Sequence, residues 1–277
     1  NLMAPQGPAT QAALVTEDMP RCVREIDNVR AALDWSYSPA GDAAVGAALT
    51  TAFMPVWLHM GLLLECRERA ERTLTDSGLN KRLRMQLCIG LGLAGIFTMG
   101  PVRKVRDAVA SALDLAEDLD DVDAQMWAIW CLWVTHIYSS ENRLALSQVD
   151  RLARVITRIN DPFGQLMLDR IRAYTLQYGG GQREASRLLE GVIENCSEPG
   201  DRRNTFFLQL DQRVLARAVQ ARALLLLGYP DRALSEARAS LEEANATGYK
   251  FSACEALRLA VCPVALFTGD LKAAERA

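Results

Sequence analysis

The stretch Leu210–Gly248, LDQRVLARAVQARALLLLGYPDRALSEARASLEEANATG, constrains the fold more than any other. Val214, Leu215, Ala218, Ala221, Leu224 and Leu225 recur at three- and four-residue spacing, which places them on one stripe of a helix. Gly228 suits the left-handed backbone that ends a helix, and Pro230 suits the opening turn of the next. Ala233, Leu234, Ala237 and Leu241 form the inward stripe of that second helix. The stretch is a helical hairpin, and neither helix can bury its stripe alone. Neighbours of the same kind are therefore required.

The neighbours are visible as a repeat. Gly228 and Ala233, five residues apart, have counterparts at Gly180/Ala185, Gly269/Ala274 and Ser140/Ala145, with looser ones at Gly100/Val105 and Gly61/Cys66. Successive second members are 39, 40, 40, 48 and 41 residues apart. A near-constant period of this size is the mark of a solenoid of helical hairpins. The expected fold is all-α, a right-handed superhelix of about six antiparallel hairpins, the last incomplete. The Gly-x4-Ala junction resembles the tetratricopeptide repeat, although that unit has about 34 residues and this one about 40. The step of 48 marks an insertion in 197–210, EPGDRRNTFF included, expected as a longer loop whose phenylalanines form a packed plug.

Ahead of the repeats, residues 1–18 carry Pro5, Gly7 and Pro8 and read as a tail or linker. A connecting helix is expected over 19–37 and the repeat domain over 38–277. The chain opens at Asn1 and stops at Ala277 in mid-helix, so a piece of a longer protein is expected. EIDNVRAALDW at Glu25–Trp35, followed by GDAAVGAALTTAFMPVWLHMGLLLECRERAERTL at Gly41–Leu74, resembles the region after the nucleotide-binding module of bacterial signal-transduction ATPase regulators. In that family a winged-helix DNA-binding domain and an NB-ARC-like ATPase precede a helical-repeat region. The resemblance implies a sensor or interaction region of a cytoplasmic transcriptional regulator. Its partners would be the ATPase and DNA-binding modules of the same protein, and an effector or protein partner.

Composition gives no support to several other classes. The net charge of −3 and pI near 5.6 give no basic face for a nucleic acid backbone. No uninterrupted apolar run of membrane-spanning length is read from the sequence. Seven cysteines, none in a CxxC pair, read as reduced core residues. His59 and His136 have no partner at metal spacing, and neither GxxxxGK[ST] nor GxSxG occurs. Gly90, Gly92 and Gly95 spell GxGxxG, but inside a helical pattern rather than after a strand, so close helix contact is expected there instead of a dinucleotide. The acidic run Asp114–Asp123 reads as a solvated helix end and turn. No cofactor and no catalytic group is expected in this segment.

Candidate binding residues come from the repeat geometry. In tetratricopeptide-like arrays the first helices line the concave groove, at positions 13, 10, 6 and 3 before the turn residue. Counting from Ser140 selects Trp127 and Trp130, and leaves Trp133 out. Counting from Gly180 selects Met167, Arg170, Tyr174 and Gln177, and from Gly228 it selects Arg222. Indoles, a phenol, an amide and two guanidiniums suit a small anionic molecule or a peptide, through stacking and charge-assisted hydrogen bonds. Two other readings stand beside this one: a groove with incidental arginines and no ligand, and a repeat scaffold that binds proteins only.

Overall fold

The structure is a computed structural model that describes residues 19–76, 78–159, 162–197, 205–206 and 209–276. The tail expected over 1–18 lies outside these residues, as does most of the expected loop insertion. The protein is all-α, with sequential antiparallel helix pairs. It divides into two compact units, the first ending at Arg158 and the second beginning at Ile159.

In the first unit the connecting segment is two helices, α1 (Met19–Arg24) and α2 (Ile26–Ser36), broken at Glu25. Three hairpins follow: α3 (Ala43–His59) with α4 (Leu63–Leu74), α5 (Lys81–Thr98) with α6 (Arg103–Asp118), and α7 (Val122–Tyr138) with α8 (Asn142–Ile159). The second unit holds α9 (Pro162–Tyr178) with α10 (Gln182–Asn195) and α11 (Gln212–Leu226) with α12 (Pro230–Thr247). Its last pair is a composite helix, α13 (Lys250–Ala256), a π-turn over Leu257–Val261 and α14 (Cys262–Thr268), followed by α15 (Leu271–Arg276). Between α10 and α11 two short strands, β1 (Thr205–Phe206) and β2 (Leu210–Asp211), pair antiparallel. The expected loop thus contains a strand pair, which the sequence reading did not anticipate.

All six residues assigned to turns by the repeat take positive φ: Gly61 72°, Gly100 76°, Ser140 60°, Gly180 92°, Gly228 85° and Gly269 82°. Their partners five residues on, Cys66, Val105, Ala145, Ala185 and Ala233, are fully buried, and Ala274 is half-buried. The chain reverses through one left-handed residue and brings the second helix across the first at a small side chain. The two kinds of helix also start differently. Asp42, Asn80, Asp121 and Asp211 cap first helices α3, α5, α7 and α11 through their side chains. Second helices α4, α6, α10 and α12 begin directly after the turn with no side-chain cap.

Within each unit, first helices also pack on first helices: α3 on α5, α5 on α7, α9 on α11 and α11 on α13. Gly90 serves this packing, and Gly92 and Gly95 serve the crossing within the hairpin. A Cβ on Gly90 would collide with Met54 of α3, and on Gly92 and Gly95 with Val109 and Val105 of α6. The GxGxxG is therefore a two-sided helix contact. The acidic run is a helix end and turn, as expected, and is wired to its neighbours. Asp118 pairs with Lys81, Asp121 with Arg82, Glu117 with Arg151 and Asp120 with Arg158. At the start, α2 docks on α4 through a two-pronged Arg30–Glu65 pair at 2.9 and 2.6 Å and a Tyr37–Thr73 hydroxyl contact at 2.6 Å.

One helical stretch of the second unit is largely apolar. Lys250–Thr268 is long and apolar enough to cross a membrane by length and composition. It carries Lys250, Glu255 and Arg258, and its Ala256, Leu259, Ala260, Val264 and Ala265 are buried within the second unit.

Ser140 is the only one of the six turn residues with a Cβ, which opposes left-handed backbone. Ser140→Gly is expected to stabilise the protein by about 0.5–1 kcal/mol, and Gly180→Ser to destabilise it by a similar amount. Chemical denaturation of both variants checks the sign at each position.

Candidate functional site

The second unit gathers an unusual set of polar groups on its first helices. The helix α9, PFGQLMLDRIRAYTLQY, packs against both α10 and α11, so it is buried on several sides and not along one stripe. Arg170, Tyr174 and Gln177, spaced one helical turn apart, are only 2%, 4% and 3% exposed. A guanidinium at 2% exposure carries a large desolvation cost unless something compensates it.

The compensation within the protein is small. Arg170 Nε donates to Gln212 Oε1 at 2.5 Å, and among the described residues no carboxylate lies within ion-pair distance of Arg170. Burial pushes the Arg170 guanidinium down to about 10, opposed by the nearby Tyr174, Cys196 and Glu255, and it remains charged at neutral pH. Gln212 is the first residue of α11, and its position is fixed from both sides. Asp211 caps the helix by accepting from the backbone N–H of Arg213 and Val214. Asp211 N–H in turn donates to Ser252 Oγ of α13 at 2.9 Å, and Ser252 donates to the Gln209 carbonyl at 2.6 Å. The middle of α9 and the starts of α11 and α13 are thereby tied together.

About one and two turns further along α9, Tyr174 and Tyr178 stack at 5.1 Å with rings 7° from parallel. Arg222 of α11 lies 4.6 Å from the Tyr178 ring centroid and its Nη1 donates to the phenol oxygen at 2.9 Å. Burial raises the Tyr178 phenol, but the hydrogen bonds from Arg222 and Tyr174 and the charges of Arg222 and Arg258 outweigh it, so the phenol sits below its ordinary value. From α13 and the π-turn, Arg258 makes a two-pronged pair with Glu255, at 3.0 and 2.6 Å. Among the described residues Arg222, like Arg170, has no carboxylate at ion-pair distance.

Of the six residues selected from the sequence, four lie in this unit. The structure brings Arg170, Tyr174 and Gln177 onto α9 and places Arg222 beside Tyr178. Trp127 and Trp130 belong to the first unit. They meet edge to face at 6.3 Å, are 6% and 3% exposed, and share the interior of α7 with Trp133, which is 4% exposed. Burial therefore does not separate the two selected indoles from the third.

Tyr178, Gln212, Glu255 and Arg258 were not among the selected residues. Tyr178 was detectable as the residue one turn beyond Tyr174. Glu255 and Arg258 sit 14 and 11 residues before Gly269, one more than the groove positions 13 and 10. The π-turn at Leu257–Val261 supplies the offset. The Cys262 N–H reaches back five residues to the Leu257 carbonyl, so one extra residue is accommodated without leaving the helix. Pro263, which has no N–H to give, follows at once.

Elsewhere the described residues offer little chemistry. No group of three His, Cys, Asp or Glu among them could hold a metal ion. Burial raises the thiols of Cys88, Cys131 and Cys66, the last to about 12, which keeps them from acting as nucleophiles. A surface hollow lined by Gly180–Glu184 and Leu227 includes none of the six selected residues. Comparison of the chain with protein-family models and with curated protein sequences finds no match.

The Tyr178–Arg222 contact has a direct readout. In a spectrophotometric titration, one tyrosine is expected to ionise below the ordinary value of 10, because the guanidinium favours phenolate over phenol. Arg222→Ala removes that preference, and the same transition should move to higher pH.

Proposed function

We propose that the chain is the sensor and protein-interaction region of a cytoplasmic, ATPase-linked transcriptional regulator. It takes an effector, either a small anionic molecule or a peptide, or a protein partner, on the face lined by its first helices. Binding changes its contacts with the ATPase module, and the segment itself is not an enzyme. The regulator part of this reading rests on the resemblance of Glu25–Leu74. The binding part rests on one observation, the buried Arg170 and the half-buried Arg222, neither with a carboxylate partner among the described residues. Hairpin arrays present such faces as extended binding surfaces. Trp127 and Trp130 remain assigned to the corresponding face of the first unit, where an indole would report on an occupant by fluorescence.

The test is a thermal-shift screen against metabolites and peptides, with tryptophan fluorescence as a second readout. A compound that binds only the folded chain raises its melting temperature by mass action. Such a compound, also altering DNA binding by the full-length regulator, is the expected outcome. A protein captured by the chain, together with no response to any metabolite or peptide, would replace the effector by a protein-only scaffold.

A further inference from the structure

Among the described residues, Arg170 Nη2 and Gln212 Nε2 are buried donors with no acceptor. Their side chains are joined through the Arg170 Nε–Gln212 Oε1 hydrogen bond. That bond also fixes the Gln212 amide, since a flipped amide would turn donor against donor. Both free N–H groups therefore belong to one neighbourhood and ask for an acceptor, and the adjacent charge asks for a negative one. Around them the first helices contribute three guanidiniums, Arg170, Arg222 and Arg258, and the carboxylate of Glu255, which is already engaged by Arg258. The buried Asp211 carboxylate beside Gln212 is engaged by the backbone N–H of Arg213 and Val214. Exposure grades outward, from Arg170 at 2% to the Arg258 side chain at 45%. The π-turn, a backbone feature often found at functional sites, sets Arg258 and Glu255 toward this cluster.

We propose that this cluster is a binding site for a small oxyanion, a carboxylate or phosphate group, which accepts hydrogen bonds donated by Arg170 Nη2 and Gln212 Nε2 and is reached past Arg222 and Arg258. The proposal rests on the ligand-binding reading given above and names the chemistry of the ligand. The fork of Arg170 grips the anion, Gln212 supplies the second donor, and Arg222 and Arg258 draw it inward. Tyr174 and Tyr178 form the stacked wall beside it. The Ser252 bridge holds Gln212 in place whether or not the anion is bound.

The test uses the chain itself, with sodium acetate and inorganic phosphate as probes, each compared with sodium chloride at matched ionic strength. At least one probe should raise the melting temperature by about 5 °C or more at a hundredfold excess over its Kd. A response to acetate alone assigns a carboxylate, and a response to phosphate alone assigns a phosphate ester or free phosphate. Arg170→Met should abolish the response while leaving the ligand-free melting temperature equal or higher, because the uncompensated charge is gone. Arg170→Lys should weaken binding at least about tenfold through loss of the fork. Failure of both probes to exceed chloride, or a response that persists in Arg170→Met, overturns the site. Should Arg170→Met not fold, Arg222→Gln takes its place, and unchanged affinity there is equally decisive against it. An oxyanion site whose occupancy leaves DNA binding by the full-length regulator unchanged would stand while the regulator reading fell. An effector response that survives Arg170→Met would do the reverse.

Discussion

Everything in this protein depends on how closely two helices of a hairpin can cross. One left-handed residue reverses the chain, and five residues later a small side chain lets the second helix lie against the first. Glycine supplies the turn in five hairpins and Ser140 in the sixth. Ala145, Ala185, Ala233, Cys66 and Val105 supply the crossing and are wholly removed from solvent. A larger residue at a crossing would have to displace backbone, since packed interiors leave little room for an added methylene. Because each crossing is set locally, first helices fall into line against first helices, and residues far apart in sequence share a face.

The face in the second unit puts that regularity to a different use. Apolar packing would be served by Leu or Met at Arg170 and Gln212, yet a guanidinium and an amide stand there. A buried ion that lacks its counterion is a poor way to stabilise a fold. Such an arrangement is understandable where the missing partner arrives from outside. The Asp211–Ser252 link joins α11 to α13 without using the charge.

Much of the architecture was legible in the sequence because it is written in local chemistry. The turn glycines, the alanines five residues on and the apolar stripes each report a backbone constraint that acts within a few residues. The GxGxxG was legible for the same reason, as its helical surroundings excluded a phosphate loop, and the structure adds Met54, Val105 and Val109 as the groups that fill the glycine gaps. The site was only partly legible. Arg170, Tyr174, Gln177 and Arg222 follow from counting back from a turn. Burial of Trp127 and Trp130 does not follow, because exposure is decided by every helix packed around α7. Nor do Gln212, which meets Arg170 across 42 residues, and Ser252, which meets Asp211 across 41. The break at Glu25 and the β1–β2 pair also escaped a reading based on period alone.

The π-turn at Leu257–Val261 bears on how such an array tolerates change in length. The step from Ala233 to Ala274 is 41 residues, against 40 for two earlier ones. A surplus residue could have been pushed out into a loop, but here it is held as one wide turn in the middle of a helix. Residues after it keep the phase of the repeat, so Gly269 still closes the hairpin. Residues before it are rotated by about one position, and the face they show is changed. A single added residue can thus re-aim charged side chains on the inner face and leave every junction intact, giving a repeat protein a way to alter what it binds without disturbing what holds it together.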